Sequence, residues 1–158
     1  MRFDKSKDIT ASRIVNDFRE NNLVEIFRKY GEVSQARLLA EKIINNRPIN
    51  SARQLKIICE KVVGWKNKKI HPATTVFQAL RIAVNDELNN LETILRSLDN
   101  IIAPKGIIAI ISFHSLEDRL VKINFRQLIE NGKFEYVGEK FILPTEEEIA
   151  QNESGESW

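Results

Sequence analysis

The chain has 158 residues, of which 42% are hydrophobic and 29% are charged, and its formal net charge is +2. This composition excludes a disordered or fibrous protein, and the near balance of charge gives no general argument for nucleic-acid binding. Cys59 is the only cysteine, which excludes an intrachain disulfide. Because no apolar run is long enough to span a bilayer and the first ten residues lack the apolar segment of a signal peptide, we expect a cytosolic protein.

Four short helices are predicted in the first 64 residues, because apolar side chains recur there three or four residues apart. Thr10 and Ser34 are the predicted caps at the starts of the first and third helices, and the fourth helix is predicted to run from Ser51. Gly31 and Gly64 are the predicted ends of the second and the fourth. Since short helices are marginal by themselves, we expect these four to stabilise one another by packing.

A longer helix is predicted after a basic loop that runs from Trp65 to Lys69. Pro72 stands at a position that favours the first turn of a helix, and apolar residues then recur three or four apart as far as Ile102. The spacing predicts one continuous helix of about eight turns.

Basic side chains in and before this loop are candidates for contact with a phosphate backbone. They are Lys66 and Lys68 in the loop, and Arg37 and Arg47 in the predicted helical part. A solvated basic rim on small helices explains them equally well, so both interpretations stay open.

An apolar run from Ile107 to Phe113 predicts a strand buried on both faces of a parallel sheet. Helical spacing returns from Leu116 to Ile129, and helix, turn, strand and helix in this order predict an α/β fold. A short strand is predicted from Phe134 to Val137, and Thr145 with Glu148 forms the pattern of a capping box. The last seven residues, NESGESW, are typical of disorder.

Polar side chains cluster where the predicted strand ends, and they are Ser112, His114, Ser115, Glu117 and Asp118. In open α/β sheets, ligands and catalytic groups gather beyond the carboxyl ends of the strands. One interpretation is structural: Ser115 caps the next helix and the two carboxylates stabilise its N-terminal dipole. The other gives His114 a catalytic role, and spacing alone does not decide between them.

Other common sites are not indicated. The sequence has no G-x-G-x-x-G after a strand, no phosphate-binding Walker loop and no G-x-S-x-G nucleophile elbow. One cysteine and two distant histidines also argue against a zinc site.

Two long segments closely resemble the signature segments of one bacterial enzyme family. They are HPATTVFQALRIAVNDELNNLE, which starts at His71, and ISFHSLEDRLVK, which starts at Ile111. The family comprises the S-adenosylmethionine-dependent methyltransferases that modify N4 of a cytosine in small-subunit ribosomal RNA. The opening MRFD is similar to the family's D-M-R-M-D stretch, and LPTEEEIAQN is similar to its K-P-x-E-E-E-I-x-x-N. The resemblance covers Met1 to Asn152, in the family's order.

The resemblance implies a mostly helical α/β chain with an incomplete Rossmann-like methyltransferase domain. Residues 1–69 would be a small all-helical inserted domain for RNA recognition, and residues 70–158 the C-terminal helix–strand–helix part of the catalytic domain. The family's glycine-rich loop for S-adenosylmethionine lies upstream of the position that matches Met1. No cofactor-binding residue is therefore assigned, and we expect the chain alone not to bind that cofactor tightly.

The implied partners are small-subunit ribosomal RNA or the ribosomal subunit, and a companion chain with the family's N-terminal half; neither a membrane nor DNA is implied. The candidate catalytic residues are His114, Ser115 and Asp118. The candidate substrate-binding residues are Ser112, His71, Arg81, Lys66 and Lys68. No metal ligand is assigned.

Three hypotheses follow from these observations. The chain is part of an RNA cytosine-N4 methyltransferase that is active only with a companion, or an RNA-binding module without catalysis, or a degenerate product. We favour the first, because the two signature segments occur at the family's separation.

Overall fold

The structure is a computed structural model, and it describes residues 1, 3, 8–64, 71–138 and 142–151. Helices and irregular segments account for these residues, with no β-strand among them. Contacts divide the chain into two compact units, Met1–Glu87 and Leu88–Trp158. The domain division after residue 69, which the resemblance implies, stays a prediction.

The first unit contains five helices, which bury their apolar faces against one another. The helices are α1 (Ala11–Asp17), α2 (Glu20–Lys29), α3 (Ala36–Asn45), α4 (Ala52–Val63) and α5 (Pro72–Asn85). Leu23 and Phe27 of α2, Leu39 of α3 and Val76 of α5 are fully buried in their common core. Mutual packing therefore stabilises these short helices, as expected.

Local capping signals explain where three of these helices begin. The Thr10 hydroxyl accepts a hydrogen bond from the Arg13 N–H at 3.1 Å. Ser51 and Gln54 form a reciprocal capping box at the start of α4, and Pro72 is the first residue of α5. The predicted cap at Ser34 is wrong: α3 begins at Ala36, and the preceding residue makes no side-chain capping bond.

The single helix predicted from Pro72 to Ile102 is also wrong, because the chain forms two helices there. Asp86 adopts a left-handed conformation, with φ 56° and ψ 40°, and ends α5. A new helix, α6 (Glu87–Ile101), starts directly after it. Aspartate tolerates this conformation better than most residues, and the apolar spacing of three and four continues across the break. Periodicity therefore did not reveal it.

The second unit packs the later part of α6 against α7 (Ser115–Glu130). Leu95, Leu98 and Val121 are its buried core. The segment from Ile107 to Phe113, predicted to be a strand buried on both faces, forms no β-ladder with any described residue. Its burial alternates.

The alternation leaves one apolar face of this segment exposed. Ile108 and Ile110 pack against the core of the second unit. Ile107 and Ile111 are 76% and 82% exposed. The prediction of burial on both faces is therefore wrong for the chain by itself, since no second layer of described residues covers the outer face.

The end of the chain follows one local prediction and departs from another. The Thr145 N–H donates to Glu148 Oε2 at 2.8 Å and the Glu148 N–H donates to Thr145 Oγ1 at 3.2 Å, which confirms the capping box of α8 (Glu146–Gln151). No strand forms from Phe134 to Val137. The expected disorder of residues 152–158 lies outside the described residues. Among the helices of the described part, none has the length and apolar character needed to cross a membrane.

Candidate functional site

The polar cluster lies where the irregular segment enters α7, and His114 is the residue that caps this helix. Its backbone is extended, and its Nδ1 accepts a hydrogen bond from the Glu117 N–H at 3.3 Å. Ser115 is the first residue inside the helix, so the interpretation of Ser115 as the cap is wrong by one position. A histidine nitrogen thus takes the role that a serine hydroxyl usually has at this place.

The Glu117 carboxylate makes a second hydrogen bond at the start of α7, to the backbone before His114. Its Oε2 accepts a hydrogen bond from the Phe113 N–H at 2.8 Å. This resembles a capping box, except that the carboxylate binds the N–H one residue before the cap. The carboxylate also lies in the first turn of α7, where the helix dipole favours a negative charge. Glu117 therefore binds the Phe113 backbone through its carboxylate and the His114 ring through its own N–H.

The second ring nitrogen of His114 is buried without a hydrogen bond among the described residues. Glu117 Oε1 lies 3.4 Å from this nitrogen, but the contact does not have hydrogen-bond geometry. The His114 side chain is only 7% exposed, so solvent has little access to the ring. Because the Nδ1 lone pair accepts a hydrogen bond from the Glu117 N–H, the neutral ring carries its hydrogen on Nε2. A buried donor without an acceptor is uncommon in folded proteins.

The other predicted residues of this cluster are more exposed and differ in their partners. Asp118 forms an ion pair with Lys122 at 2.6 Å, one turn along α7, and its side chain is 47% exposed. Ser115 is exposed and Ser112 is half-buried. Asp118 is thus engaged in a surface pair, while the inward carboxylate of this turn is that of Glu117, which is 18% exposed.

His71, a predicted substrate-binding residue, caps a helix in the same way as His114. Its Nδ1 accepts a hydrogen bond from the Ala73 N–H at 3.0 Å, at the start of α5. Its Nε2 lies 2.8 Å from Glu60 Oε1, in hydrogen-bond geometry. Both histidines of the chain are therefore helix caps, and both ring nitrogens of His71 have a partner.

Arg81, another substrate-binding candidate of the first unit, is held by Glu87. Its guanidinium donates to both carboxylate oxygens, at 3.0 and 3.1 Å, in a forked arrangement. Glu87 Oε1 also accepts from Asn85 Nδ2 at 3.1 Å. Arg81 therefore belongs to an ordered polar group at the end of α5.

Asn85, the buried polar residue of this group, binds the start of the chain. Its Oδ1 accepts from the Phe3 N–H at 2.9 Å, and its Nδ2 donates to the Met1 carbonyl at 2.8 Å. One side-chain amide thus pairs with the backbone on both sides of residue 2, as a neighbouring strand would. The MRFD stretch and the NDEL stretch, both part of the resemblance, are in direct contact at Asn85.

The basic candidates for RNA contact have different surroundings. Arg47 donates through Nε to the Val15 carbonyl at 2.8 Å and through Nη2 to the Phe18 carbonyl at 2.5 Å. It therefore satisfies the C-terminal carbonyls of α1 rather than facing solvent. The Arg37 side chain is 78% exposed. Lys66 and Lys68 lie outside the described residues.

The structure brings together Ser112, His114, Ser115 and Asp118 at one end of α7. His71 and Arg81 lie near opposite ends of α5, about 15 Å apart at the rise of an α-helix. Sequence reasoning assigned Glu117 only to the helix dipole and did not consider Asn85. The spacing of Glu117, three residues after the cap, was the available signal for the first.

The one cysteine is not a reactive group of any site. Burial raises the pKa of the Cys59 thiol to about 12, and its side chain lies in the core of the first unit. A thiol is nucleophilic as the thiolate, so this residue is chemically inert in the folded protein.

Comparison with known proteins gives consistent matches along the whole chain. A family model described as the MraW methylase family matches residues 1–158. A protein of Acaryochloris marina named ribosomal RNA small subunit methyltransferase H is 42% identical over 99% of this chain and 53% of its own length. Proteins of the same name from Nitratiruptor sp. and Coprothermobacter proteolyticus are 49% and 40% identical, over 80% and 99% of this chain. The chain spans about half the length of the curated relatives it matches.

Proposed function

Because the chain belongs to the MraW methylase family, we propose that it is part of an enzyme that methylates N4 of a cytosine in small-subunit ribosomal RNA, with S-adenosylmethionine as the methyl donor. The single observation that carries this proposal is the family match from the first residue to the last. It is supported by relatives named ribosomal RNA small subunit methyltransferase H, at 40–49% identity.

The chemistry of the proposed reaction fits the polar cluster at the start of α7. The cofactor supplies an electrophilic methyl group, and the cytosine amine must present its lone pair to it. The protein therefore has to hold the base edge in position and assist the loss of one amine proton. His114, Ser115 and Asp118 are the catalytic residues of the proposal, with Ser112 beside them. Of these, His114 is the most buried.

In this proposal the cofactor is bound mainly by residues outside the chain. The resemblance places the family's glycine-rich loop upstream of the position that matches Met1, and the chain spans 53% of the Acaryochloris marina relative. The Ile107–Phe113 segment would then be one strand of a parallel sheet whose neighbouring strands belong to the same upstream part of the family's domain. Its exposed apolar face, at Ile107 and Ile111, supports this arrangement.

In this proposal RNA recognition falls to the helical first unit and to the basic stretch from Trp65 to Lys69, whose loop structure is a prediction from the sequence. Shape and phosphate contacts dominate recognition of structured RNA, so exposed basic residues are the relevant groups. Arg37, Lys66 and Lys68 remain in this role. His71 and Arg81 support the RNA-binding part of the first unit through α5. Arg47 is not an RNA contact in this proposal, because its guanidinium caps α1.

The test is methyl transfer from labelled S-adenosylmethionine to small-subunit RNA. It is run with the chain alone, and with the chain mixed with the N-terminal half of the Nitratiruptor relative. We expect activity only in the mixture. The labelled product, digested to nucleosides, should be N4-methylcytidine.

A soluble chain that transfers no methyl group in either mixture, but binds the RNA with strong dependence on salt, would replace this proposal with a non-catalytic RNA-binding role. Neither activity nor binding would indicate a degenerate product. Activity of the chain alone would overturn the expected need for a companion.

A further inference from the structure

We propose that the Nε2–H of His114 is a hydrogen-bond donor to the target base, and that the backbone N–H of Glu117, bonded to Nδ1, holds the His114 ring for this contact. The partner atom on the base is an acceptor on the cytosine edge, N3 or O2. The proposal rests on the proposed function for the identity of the base, and on the geometry of α7 for the donor.

The first step concerns the tautomer. His114 Nδ1 accepts the Glu117 N–H at 3.3 Å, so its lone pair is occupied by the cap. A neutral imidazole has one lone pair and one N–H, and the hydrogen therefore lies on Nε2. A ring in this state donates a hydrogen bond and has no free lone pair. His114 is thus not the group that removes the amine proton.

The second step concerns the unused donor. Nε2 has no hydrogen bond among the described residues, and it is buried, since the His114 side chain is only 7% exposed. Folded proteins rarely leave such a group unpaired, and ligand-binding sites are one place where they do. The unpaired N–H points to a ligand acceptor that completes the geometry when it binds.

His71 provides an internal comparison within the same chain. It also caps a helix through Nδ1, and its Nε2 is in hydrogen-bond geometry with Glu60 at 2.8 Å. The corresponding carboxylate beside His114 is that of Glu117, with Oε1 3.4 Å from Nε2 and not in that geometry. Glu117 instead directs Oε2 to the Phe113 N–H. The difference between the two caps that matters for ligand binding is whether Nε2 has a hydrogen bond among the described residues.

The third step concerns the base. The N4 amine of cytosine is a donor and is the reacting group, while N3 and O2 on the same edge are acceptors. A protein donor aimed at either acceptor holds the edge without competing for the amine lone pair. Methylation leaves these acceptors in place, so the contact serves both substrate and product.

The experiment compares three variants in the methyl-transfer mixture described above. His114→Asn keeps a side-chain acceptor for the cap, because asparagine is a preferred N-cap, but it lacks the ring N–H. His114→Ala removes both. Thr145→Asn is the control, since it exchanges one preferred N-cap residue for another at α8, a helix that holds none of the site residues.

We expect His114→Asn to retain the melting temperature of the unmodified chain but to lower kcat/KM by about tenfold or more, the range for loss of a buried hydrogen bond. Thr145→Asn should leave kcat/KM within about threefold. An unchanged kcat/KM in His114→Asn, with normal folding, overturns the proposal and leaves His114 as a cap only.

Nitrogen NMR of the histidine rings in the full chain, without cofactor or RNA, tests the donor independently of any activity. We expect Nδ1 of His114 to be the unprotonated nitrogen and Nε2 to carry the hydrogen. The reverse tautomer overturns the proposal. No methyl transfer by the unmodified mixture overturns the proposed function and the identity of the base, and the nitrogen spectrum then still decides whether His114 is a donor.

Discussion

The contact between Asn85 and the start of the chain predicts that substitution by aspartate destabilises the protein more than truncation to alanine. Asn85→Ala removes the bonds to the Phe3 N–H and to the Met1 carbonyl, at 2.9 and 2.8 Å. Each such bond contributes about 1 kcal/mol net, so we expect a loss of roughly 2 kcal/mol in the free energy of unfolding. The contacts of Nδ2 with the Arg81 carbonyl, at 3.0 Å, and with Glu87 Oε1, at 3.1 Å, add little, because the carbonyl lies within the helix and the carboxylate keeps its bonds to Arg81.

Asn85→Asp should be worse than Asn85→Ala, although aspartate has nearly the same shape as asparagine. The new carboxylate still accepts from Phe3, but it replaces a donor that faces three oxygens, those of Met1, Arg81 and Glu87. Asn85 is only 8% exposed, so water screens this repulsion poorly. We expect a loss of roughly 3 kcal/mol or more, because an unpaired charge in a buried place is costly.

Urea unfolding followed by far-UV circular dichroism measures both variants, since the first unit is helical. Asn90→Asp is the control: it makes the same chemical change at an exposed position on α6, and it should shift the free energy by no more than about 0.5 kcal/mol. If Asn85→Asp is as stable as the unmodified chain, or more stable than Asn85→Ala, the amide donor does not hold the start of the chain and the reasoning is refuted.

Three further predictions follow from local contacts. Because burial raises the pKa of Cys59 to about 12, a thiol reagent at mildly alkaline pH should label it very slowly in the folded chain and rapidly in denaturant; fast labelling of folded protein would contradict its burial. Arg47→Ala should lower the free energy of unfolding by about 1–2 kcal/mol, since it removes two charge-assisted bonds to the end of α1, whereas Arg37→Ala should change it by less than about 0.5 kcal/mol; equal effects would show that the cap contributes nothing. The hydrogen bond from Lys133 lowers the pKa of Asp99 below its ordinary value of 3.8. The stabilisation that this bond gives the folded chain is therefore present above pH 3.8 and is lost as the pH falls through the lowered pKa. In Lys133→Met, an NMR titration should show the pKa of Asp99 return to its ordinary range, and an unchanged pKa would exclude Lys133 as the cause.

Helix starts were predicted best where one residue and its own backbone neighbours supply the signal. Thr10, Ser51 and Pro72 mark the beginnings of α1, α4 and α5, and the pattern at Thr145 and Glu148 marks α8. Each signal acts over three or four residues, so no distant contact is needed to read it.

The break at Asp86 and the role of Arg47 were not predictable in this way. A residue in the left-handed conformation changes the direction of the chain but leaves the spacing of apolar residues intact. The apolar pattern from Pro72 to Ile102 therefore predicts one helix. Arg47 reaches the carbonyls of Val15 and Phe18, which are about 30 residues away along the chain. The sequence does not show whether a basic side chain faces a phosphate or the carbonyls at a helix end.

By itself, the sequence determined the helical periodicity, most of the capping signals, the polar cluster after the apolar run, and the family, because these depend on short-range order along the chain. Only the tertiary structure decided that His114 rather than Ser115 caps α7, that Nε2 of His114 is buried without a hydrogen bond in the described part of the chain, and that Asn85 binds the start of the chain. Those features depend on the direction in which side chains point after packing. Hydrogen bonds require both distance and angle, and residue order specifies neither for groups that the fold brings together.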